Sequence, residues 1–448
     1  MNNKKAFVFI CILSSLLLTN LALAQKKLKQ TATFPGTRVL TFVNQCSFPV
    51  WFGFAGGSAQ NRNDVNGQGK ACKSNADCVA GAACNNKQCQ RSTTCLSVSD
   101  CFNGSTCVAT GNISQCFWVN PQPSNGNYQL AANGGTNSVT LPAYNNGVAS
   151  NIVWSGAVAG RTACTSAGCE TATCNDSPQG AGSCKPSRGF DQPATQAEFT
   201  FNNTLVDFYD VEVINGMNLP VAMSPTTPSP NSSNPYNCGS PGAVKPLTNT
   251  GACAWQFTPP SNDYVWVQSG GIACSSDSGC KSPAKCGLSL NPGHDQLLQK
   301  TCGTFMGFWT ADQVCGYSPS YGTPFNCAAP LPTPQQNYNF SQLYACSPIG
   351  SCYQQNASTD CCGCVDWWKV GVNVPSSTQQ CVSSNPTWNT AVQPGLQWIK
   401  QSCPTVYTYP YDDMSSTFTC MQQNGGTVNS ANYTIIFCPG GAALSLSM

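Results

Sequence analysis

Charged side chains are scarce in this sequence. They make up 8% of its 448 residues, and histidine occurs once, at His294. If Lys4 and Lys5 are removed with an N-terminal leader, the 20 basic residues fall to 18 and equal the 18 acidic ones. A chain without net charge has no overall field that would attract nucleic acid or anionic lipid. We therefore expect neither a nucleic-acid partner nor a membrane partner.

The motifs of the common catalytic machineries are also missing. The sequence contains no G-x-S-x-G, no H-E-x-x-H and no phosphate-cradling glycine loop. Serine hydrolases, zinc proteases and nucleotide-dependent enzymes are therefore without support. The one histidine lies in the turn-like segment NPGHD at residues 291–295, where we expect a surface residue. Neither a cofactor nor a metal ion is expected.

Long apolar runs are absent except at the N-terminus. Residues 6–18 are apolar apart from two serines, Lys4 and Lys5 precede them, and Ala-Leu-Ala follows at 22–24. This pattern predicts a signal peptide over residues 1–24 that is cleaved after Ala24. An uncleaved anchor is the alternative, but the run is shorter than the roughly 20 apolar residues that a membrane span needs. We expect a secreted, extracellular protein that is a monomer.

Cysteine is abundant, with 31 residues. Cys11 lies in the predicted leader, which leaves an even number, and a secreted chain is expected to pair its cysteines because disulfides persist in oxidising compartments. Glycine (40), proline (31) and aromatic residues (10%) are frequent, as is typical of turn-rich β structure. Alternating apolar and polar residues predict strands over 38–44, within 128–141 and over 433–437.

Twelve of the cysteines form three clusters of four. Residues 72–89 have the spacing C-x5-C-x5-C-x4-C and residues 95–116 have C-x5-C-x5-C-x8-C, with Asp77 and Asp100 directly before the second cysteine. This is an internal duplication, and a looser third copy occupies residues 274–302. Units so short cannot bury a core, so we predict disulfide-stapled modules inserted at 72–116 and 274–302. The spacing lacks the paired C-x2-C of zinc sites, which favours disulfides over metal.

The other eighteen cysteines lie among longer motifs. Residues 41–51 read TFVNQCSFPVW, residues 160–164 read GRTAC, residues 193–200 read PATQAEFT, and residues 207–220 contain DFYDV followed by GMNLP. In this order the motifs resemble those of thaumatin-like proteins, of the pathogenesis-related family 5 type, over residues 39–440. The segment CETATC at 169–174 departs from the family, which usually has Thr-Gly-Asp-Cys there.

The resemblance implies a mainly β fold. It consists of a thaumatin-like antiparallel β-sandwich, a disulfide-rich second lobe with some helix, a small loop lobe, and a cleft between the first two parts. The disulfide pairs that the resemblance implies are Cys46–Cys438, Cys164–Cys169, Cys174–Cys184, Cys352–Cys361, Cys238–Cys420 and Cys253–Cys403. The connectivity of the cysteines from Cys315 to Cys381 stays open, because the segment CCGC at 361–364 departs from the family.

The resemblance also places the functional site in the cleft, where the family has one basic and four acidic residues. Glu198 matches the glutamate of an Ala-Glu-Phe motif, and Asp210 matches the second aspartate of Asp-Phe-Tyr-Asp. Either Asp412 or Asp413 matches a late aspartate. These residues, together with Asn215, are the expected lining of the cleft.

Two of the charged residues expected there are missing. Asn215 stands in place of an aspartate, and Ala157 stands in place of the arginine. Glycoside hydrolysis needs one protonated and one ionised carboxyl, for which Glu198 and Asp210 are the candidates. A neighbouring negative charge raises the pKa of the acid, so its loss at Asn215 is expected to harm catalysis more than sugar binding.

Three functions are compatible with these residues. The favoured one is a secreted protein that binds β-1,3-glucan or a related cell-wall polymer through the acidic cleft, with a defence-type, antifungal role. The second is a weak endo-β-1,3-glucanase that uses Glu198 and Asp210. The third is a non-enzymatic inhibitor or adhesion protein that contacts a protein partner through the cysteine-rich inserts. We expect Trp309, Trp367 and Trp368 to pack inside the protein rather than to stack on sugar.

Overall fold

The computed structural model describes residues 36–59, 71–78, 83–85, 87–90, 94–143, 152–174, 182, 184–191, 193–227, 233–246, 251–290, 298–333, 337–347, 349–353, 357, 360–375, 383, 385–423 and 428–446. The predicted signal peptide over residues 1–24, His294 and Cys381 lie outside these ranges.

Two sheets form the main body, with strands numbered in chain order. The first sheet has the order β12 (Val221–Pro225), β19 (Tyr433–Phe437), β1 (Arg38–Asn44) and β8 (Gly135–Leu141). The segment RVLTFVN alternates buried and half-buried residues along β1, as a strand with one face on a core requires. β1 runs antiparallel to β8 and parallel to β19, so it joins the start of the domain to its end.

The second sheet has six antiparallel strands. Their order is β18 (Phe418–Cys420), β11 (Asp207–Glu212), β10 (Gln196–Asn202), β9 (Ile152–Thr162), β2 (Val50–Gly56) and β7 (Gln129–Leu130). Aromatic rings fill the space between the sheets: Phe42 stacks on Phe52 at 4.2 Å between centroids, and Phe199 meets Tyr433 at 5.5 Å. The predicted mainly β fold with a two-sheet sandwich is confirmed.

The strands predicted from alternation are present. β1 and β19 coincide with the predicted segments 38–44 and 433–437, and segment 128–141 holds both β7 and β8. The chain turns between β7 and β8 at Asn133 and Gly134, whose φ angles are 57° and 112°. β7 and β8 belong to different sheets, and an Asn-Gly pair suits the turn between them because both residues tolerate positive φ.

One buried cation ties the two sheets together. Arg38 on β1 donates from Nε and Nη2 to the two carboxylate oxygens of Asp207 on β11, both at 3.0 Å, and neither side chain is exposed. Its remaining hydrogen bonds go to the backbone carbonyls of Gly36, Asn202 and Asn429. This contact fixes the start of β11, whose later residues carry the candidate site.

The second lobe combines a sheet with short helices. The sheet has the order β16 (Leu298–Gly303), β15 (Lys285–Leu290), β14 (Val265–Val267) and β17 (Phe305–Phe308), and β13 (Gln256–Phe257) pairs with β20 (Ser445–Leu446). The helices are α1 (Ala311–Tyr317), α2 (Phe340–Ala345), α3 (Gln393–Ser402), which continues a π-helical turn at Trp388–Val392, and α4 (Asp413–Ser416). Among the described residues no helix has the length and apolar content of a membrane span.

The three four-cysteine modules share one architecture. Each has a short 3-10 turn, at Asn75–Asp77, Val98–Asp100 or Asp277–Gly279, followed by a hairpin. The hairpins are β3 (Ala83–Asn85) with β4 (Gln88–Gln90), β5 (Ser105–Thr110) with β6 (Ile113–Trp118), and β15 with β16. The third module is therefore built into the sheet of the second lobe.

Sequence reasoning left the pairing inside the modules open. The structure pairs the first cysteine with the third in all three modules, and the second with the fourth in the second and third modules. The bonds are Cys72–Cys84, Cys95–Cys107, Cys101–Cys116, Cys274–Cys286 and Cys280–Cys302, and Cys78 is also disulfide-bonded. The aspartate before the second cysteine holds the turn, since Asp100 accepts hydrogen bonds from the backbone N–H of Leu96 and Ser97 at 2.9 and 3.0 Å. Asp77 makes the same contacts in the first module.

The body contains all six disulfides that the resemblance implied. They are Cys46–Cys438, Cys164–Cys169, Cys174–Cys184, Cys238–Cys420, Cys253–Cys403 and Cys352–Cys361. In the region that sequence reasoning left open, Cys315 pairs with Cys327 and Cys346 pairs with Cys362. Cys364 is disulfide-bonded as well.

Candidate functional site

The outward face of the six-stranded sheet carries a row of carboxyl side chains. Alternation along β10 buries Ala197 and Phe199 in the core, so Glu198 lies on the opposite face. Asp210 on β11 is the direct register partner of Glu198. Residues opposite each other on antiparallel strands have their Cβ atoms about 4.5–5.5 Å apart. The structure therefore brings together the two acids that the sequence singled out.

Glu198 has an alanine on its other side. Ala157 on β9 is its register partner, at the position where the resemblance called for an arginine. Ala157 packs into a small separate core under the loop lobe, whose other members are Ala55, Ala159, Ala172, Cys174, Cys184, Phe190 and Ala194. The alanine therefore helps to hold the loop lobe on the sheet, and this row of the sheet carries acids without a cation.

A cleft of about 520 Å³ opens over this row. Glu198, Asp210, Gln196 and Asn215 line it, together with residues 187–190 of a neighbouring loop, which bring the cation Arg188 to its edge. Both acids are half-buried. The cleft thus offers carboxylate acceptors and amide groups that both donate and accept.

Glu212 is a third acid on the same face, and sequence reasoning missed it. It lies two residues beyond Asp210 on β11 and is 4% exposed. Gln196 donates to its Oε2 at 2.7 Å, while the backbone N and the side-chain Nδ2 of Asn215 donate to its Oε1 at 2.9 and 2.7 Å. The two-residue repeat on a strand was the signal that could have revealed it.

These contacts correct the expectation for Asn215. Its amide does not leave the cleft short of a carboxyl, because it positions the carboxyl of Glu212 instead. The Glu212 side chain is hydrogen-bonded to Glu198, which requires a shared proton. A second carboxyl is therefore still present beside Glu198, supplied by Glu212 rather than by residue 215.

Burial raises the pKa of all three acids. The pKa of Glu212 is raised well above its usual value by burial and by the charge of Glu198. Burial also raises the pKa of Glu198, while the hydrogen bond from Glu212 opposes that rise. Burial and then repulsion by Glu198 and Glu212 raise the pKa of Asp210 far above the usual range. Each of the three carboxyls therefore releases its proton at a higher pH than a free carboxyl does.

Asp210 is the least compensated of the three acids. Its Oδ1 is buried, and no described residue donates a hydrogen bond to it. A buried acceptor without a donor is costly, and a ligand hydroxyl would relieve that cost.

Asp412 and Asp413 do not line the cleft, contrary to the expectation from sequence. Asp412 is fully buried and forms an ion pair with Lys400 at 2.9 Å. It also accepts hydrogen bonds from Trp367, Thr408 and Ser415, which use its acceptor capacity for structure. Asp413 is exposed in the first turn of α4 and acts on the site only by raising the pKa of Asp210.

The exposed aromatic rings at the cleft are phenylalanines. Phe208 on β11 is 44% exposed and lines the cleft, as does Phe117 on β6. Trp309 and Trp367 are buried as expected, but Trp368 is 53% exposed, with its indole N–H donating to the backbone of Val374.

A second cavity of about 470 Å³ lies between the sandwich and the second lobe. Its lining is mainly apolar and includes Trp51, Phe305 and Met306. Glu170 is its one carboxyl and accepts a hydrogen bond from Gln268 at 3.1 Å. The first cleft therefore suits a polar ligand better.

The fold and the cleft define a disulfide-rich β-sandwich protein with an acidic groove. A family model described as the Thaumatin family matches residues 111–328. Pathogenesis-related thaumatin-like protein 3.2 of Cryptomeria japonica is 25% identical over 342 residues, which cover 74% of this chain and 88% of that protein. Thaumatin-like protein 1 of Pyrus pyrifolia is 26% identical over 325 residues, with 71% and 82% covered.

A shorter match has higher identity. An osmotin-like protein of Nicotiana tabacum is 39% identical over 77 residues, which cover 16% of this chain and 27% of that protein. This match thus spans about a quarter of the relative's length, whereas the two preceding matches span most of theirs. Together with this sandwich and these disulfides, the matches support a thaumatin-like family for the chain.

Proposed function

We propose that the protein is a secreted, defence-type carbohydrate-binding protein that takes a segment of β-1,3-glucan or a related wall polymer into the acidic cleft. The observation that carries this proposal is the set of Glu198, Asp210, Gln196 and Asn215 lining one cleft beside exposed Phe208. Sugar hydroxyls both donate and accept hydrogen bonds, and this set offers both functions. The unpartnered Oδ1 of Asp210 supplies a buried acceptor for one hydroxyl.

Two further facts support the proposal. Relatives that match most of their own length carry the names pathogenesis-related and thaumatin-like, which fits a defence-type role. The many disulfides fit an oxidising, extracellular setting. A neutral polymer fits this polar cleft better than an acidic one, because the carboxylates would repel an acidic polymer.

Retention on insoluble β-1,3-glucan tests the proposal. We expect wild type to be retained and Glu198→Gln and Asp210→Asn to bind about tenfold more weakly, as loss of one hydrogen bond of about 1.5 kcal/mol predicts. Glu170→Gln is the matched control, because it makes the same chemical change in the other cavity and should bind as wild type does. Wild type that passes through the glucan column, or Glu198→Gln that is retained as wild type is, would refute the proposal.

The carboxyl cluster also favours a second candidate, a weak endo-β-1,3-glucanase. Asp210 lines the cleft with a raised pKa and suits the general acid, while Glu198, which accepts the shared proton from Glu212, suits the base or nucleophile. The test is digestion of soluble β-1,3-glucan, with the released reducing ends as the measured quantity. Release by wild type and no release by Asp210→Asn supports the enzyme, and no release by wild type eliminates it.

A further inference from the structure

We infer that the hairpin β5–β6 of the second module forms one side of the cleft and that Phe117 presents a flat ring to a neutral pyranose of the bound chain. This inference rests on the proposed function. It changes the role of the insert from a separate arm to a part of the binding site.

The hairpin continues the six-stranded sheet. After β2 ends at Gly56, the backbone N–H of Gly57 donates to the carbonyl oxygen of Ser155 on β9 at 2.9 Å. The segment 57–59 therefore stays beside β9, as β2 does. On its other edge, Trp118 N–H donates to Gly57 at 3.0 Å and Ala59 N–H donates to Cys116 at 2.8 Å. The sheet therefore extends from β11 through β10, β9 and the 57–59 segment to β6.

The contact between the hairpin and the sheet is too close for an ordinary side chain. A Cβ placed on Gly56 would come within 2.1 Å of the carbonyl oxygen of Trp118. Two further hydrogen bonds lock the junction, from Trp154 Nε1 to Val119 at 3.1 Å and from Gly56 N–H to the Asn120 side chain at 2.6 Å. The hairpin consequently has a fixed position relative to the carboxyl row.

Alternation along β6 decides which side chain faces the cleft. Cys116 and Trp118 are buried in the main core, and Cys116 is bonded to Cys101. Phe117 between them points the other way, is half-buried, and lines the cleft. Because both neighbours are fixed in the core, the ring has little freedom to leave the cleft.

The strand order also indicates the kind of ligand. Phe208 on β11 and Phe117 on β6 stand four strand spacings apart, roughly 19 Å along the sheet. Glu198 lies on an intervening strand, and Asp210 lies on the same strand as Phe208. Such a span fits several linked sugars rather than one. A β-linked glucose unit has mainly equatorial hydroxyls, which leaves an apolar face that can lie on an aromatic ring. The inferred ligand is therefore a neutral β-glucan chain.

Substitutions that remove the aromatic ring but keep a large apolar side chain test the inference. We expect Phe117→Leu and Phe117→Met to bind a β-1,3-linked glucose hexamer roughly three- to tenfold more weakly by calorimetry, and Phe117→Tyr to bind as wild type does. Ile113→Ala, on the same strand but outside the cleft lining, is the control and should also match wild type. Thermal unfolding checks that each variant is folded.

The outcomes separate this inference from the proposed function. If Phe117→Leu and Phe117→Met bind as tightly as wild type while Glu198→Gln binds weakly, the hairpin is only scaffold and the inference is wrong. If wild type itself does not bind the hexamer, the proposed function fails. Loss of affinity in Phe117→Tyr as large as that in Phe117→Leu would also overturn the role of the ring.

Discussion

At the scale of single residues, the hydrogen bonds to Glu212 control the chemistry of the cleft. Gln196 and Asn215 together donate to both of its carboxylate oxygens, and its remaining partner is Glu198. An amide at position 215 satisfies this buried acid, whereas a carboxylate there would face it with a like charge. The asparagine and the glutamate are therefore best understood as a pair.

The stability of the folded protein should fall as the pH rises above the ordinary pKa of a glutamate, because of Glu212. Its folded pKa lies above the 4.5 of a free glutamate, so the folded protein keeps a proton that the unfolded chain releases. Glu212→Gln removes this difference, and we expect the fall in the free energy of unfolding between pH 4.5 and 7.5 to lessen by up to about 1.4 kcal/mol per pH unit. Denaturant unfolding at several pH values measures it.

Asn215→Asp is the matched opposite change. It adds a carboxylate against Glu212, so the fall in stability with rising pH should become steeper than in wild type. Equal slopes for wild type, Glu212→Gln and Asn215→Asp would contradict the assigned pair.

Asp412 should matter for stability and not for ligand binding. Asp412→Asn leaves Lys400 buried without its counter-ion, and removing one partner of a buried pair costs about 3–5 kcal/mol. Burial already lowers the pKa of Lys400, so this ammonium depends on its partner. The folded variant should still be retained on glucan, unlike Glu198→Gln; loss of retention without loss of stability would place Asp412 in the cleft after all.

Sequence motifs identified some cleft residues and not others. Glu198 and Asp210 lie in long motifs and face each other through strand register, so resemblance located them. Asp412 matched equally well, but its orientation depends on Lys400 and Trp367, which lie in other elements. Glu212 and Phe117 belong to no motif of the resemblance, and only the register of β11 and the docking of β6 bring them to the site.

At the scale of elements, the first two modules are duplicated in sequence but differ in attachment. In the first module the described backbone hydrogen bond of Cys72 goes to Lys87, inside the module. In the second, the hairpin β5–β6 bonds to the 57–59 segment of the body. A repeated spacing predicts a repeated fold, but it does not predict which copy is fused to the sheet.

Excision of the two modules should therefore have different results. Replacing residues 72–90 by a short Gly-Ser linker should leave glucan retention unchanged. Replacing residues 95–118 removes Phe117 and should weaken retention at least threefold, by the same reasoning as for the ring. Retention that depends on residues 72–90 would instead point to the exposed module as a contact surface, which is the protein-partner hypothesis.

At the scale of the whole molecule, three disulfides join distant parts of the chain. Cys46–Cys438, Cys238–Cys420 and Cys253–Cys403 span 392, 182 and 150 residues. The motifs and the family resemblance implied these pairs, because they lie in the body. The attachment of the third module to the second lobe was not foreseen, since its cysteine spacing says nothing about the pairing of β15 with β14.

Removal of the longest bridge should cost more than removal of the shortest. Cys46→Ala with Cys438→Ala should lower the free energy of unfolding by about 6 kcal/mol, because a long closed loop restricts the unfolded chain most. Cys164→Ala with Cys169→Ala, which opens a loop of separation 5, should lower it by about 2 kcal/mol. Chemical denaturation without reductant measures both; equal losses would rule out loop closure as the cause.

The position of β1 between β8 and β19 has a consequence for biosynthesis. Leu40 pairs with Tyr433, so the first strand of the domain cannot find one of its two neighbours until the ribosome has also made β19. At 5–20 residues per second, roughly 20 to 80 seconds of translation separate the two strands. During that interval one edge of β1 is open to pairing with other nascent chains. Completion of this sheet therefore has to wait until the residues of β19 have left the ribosome.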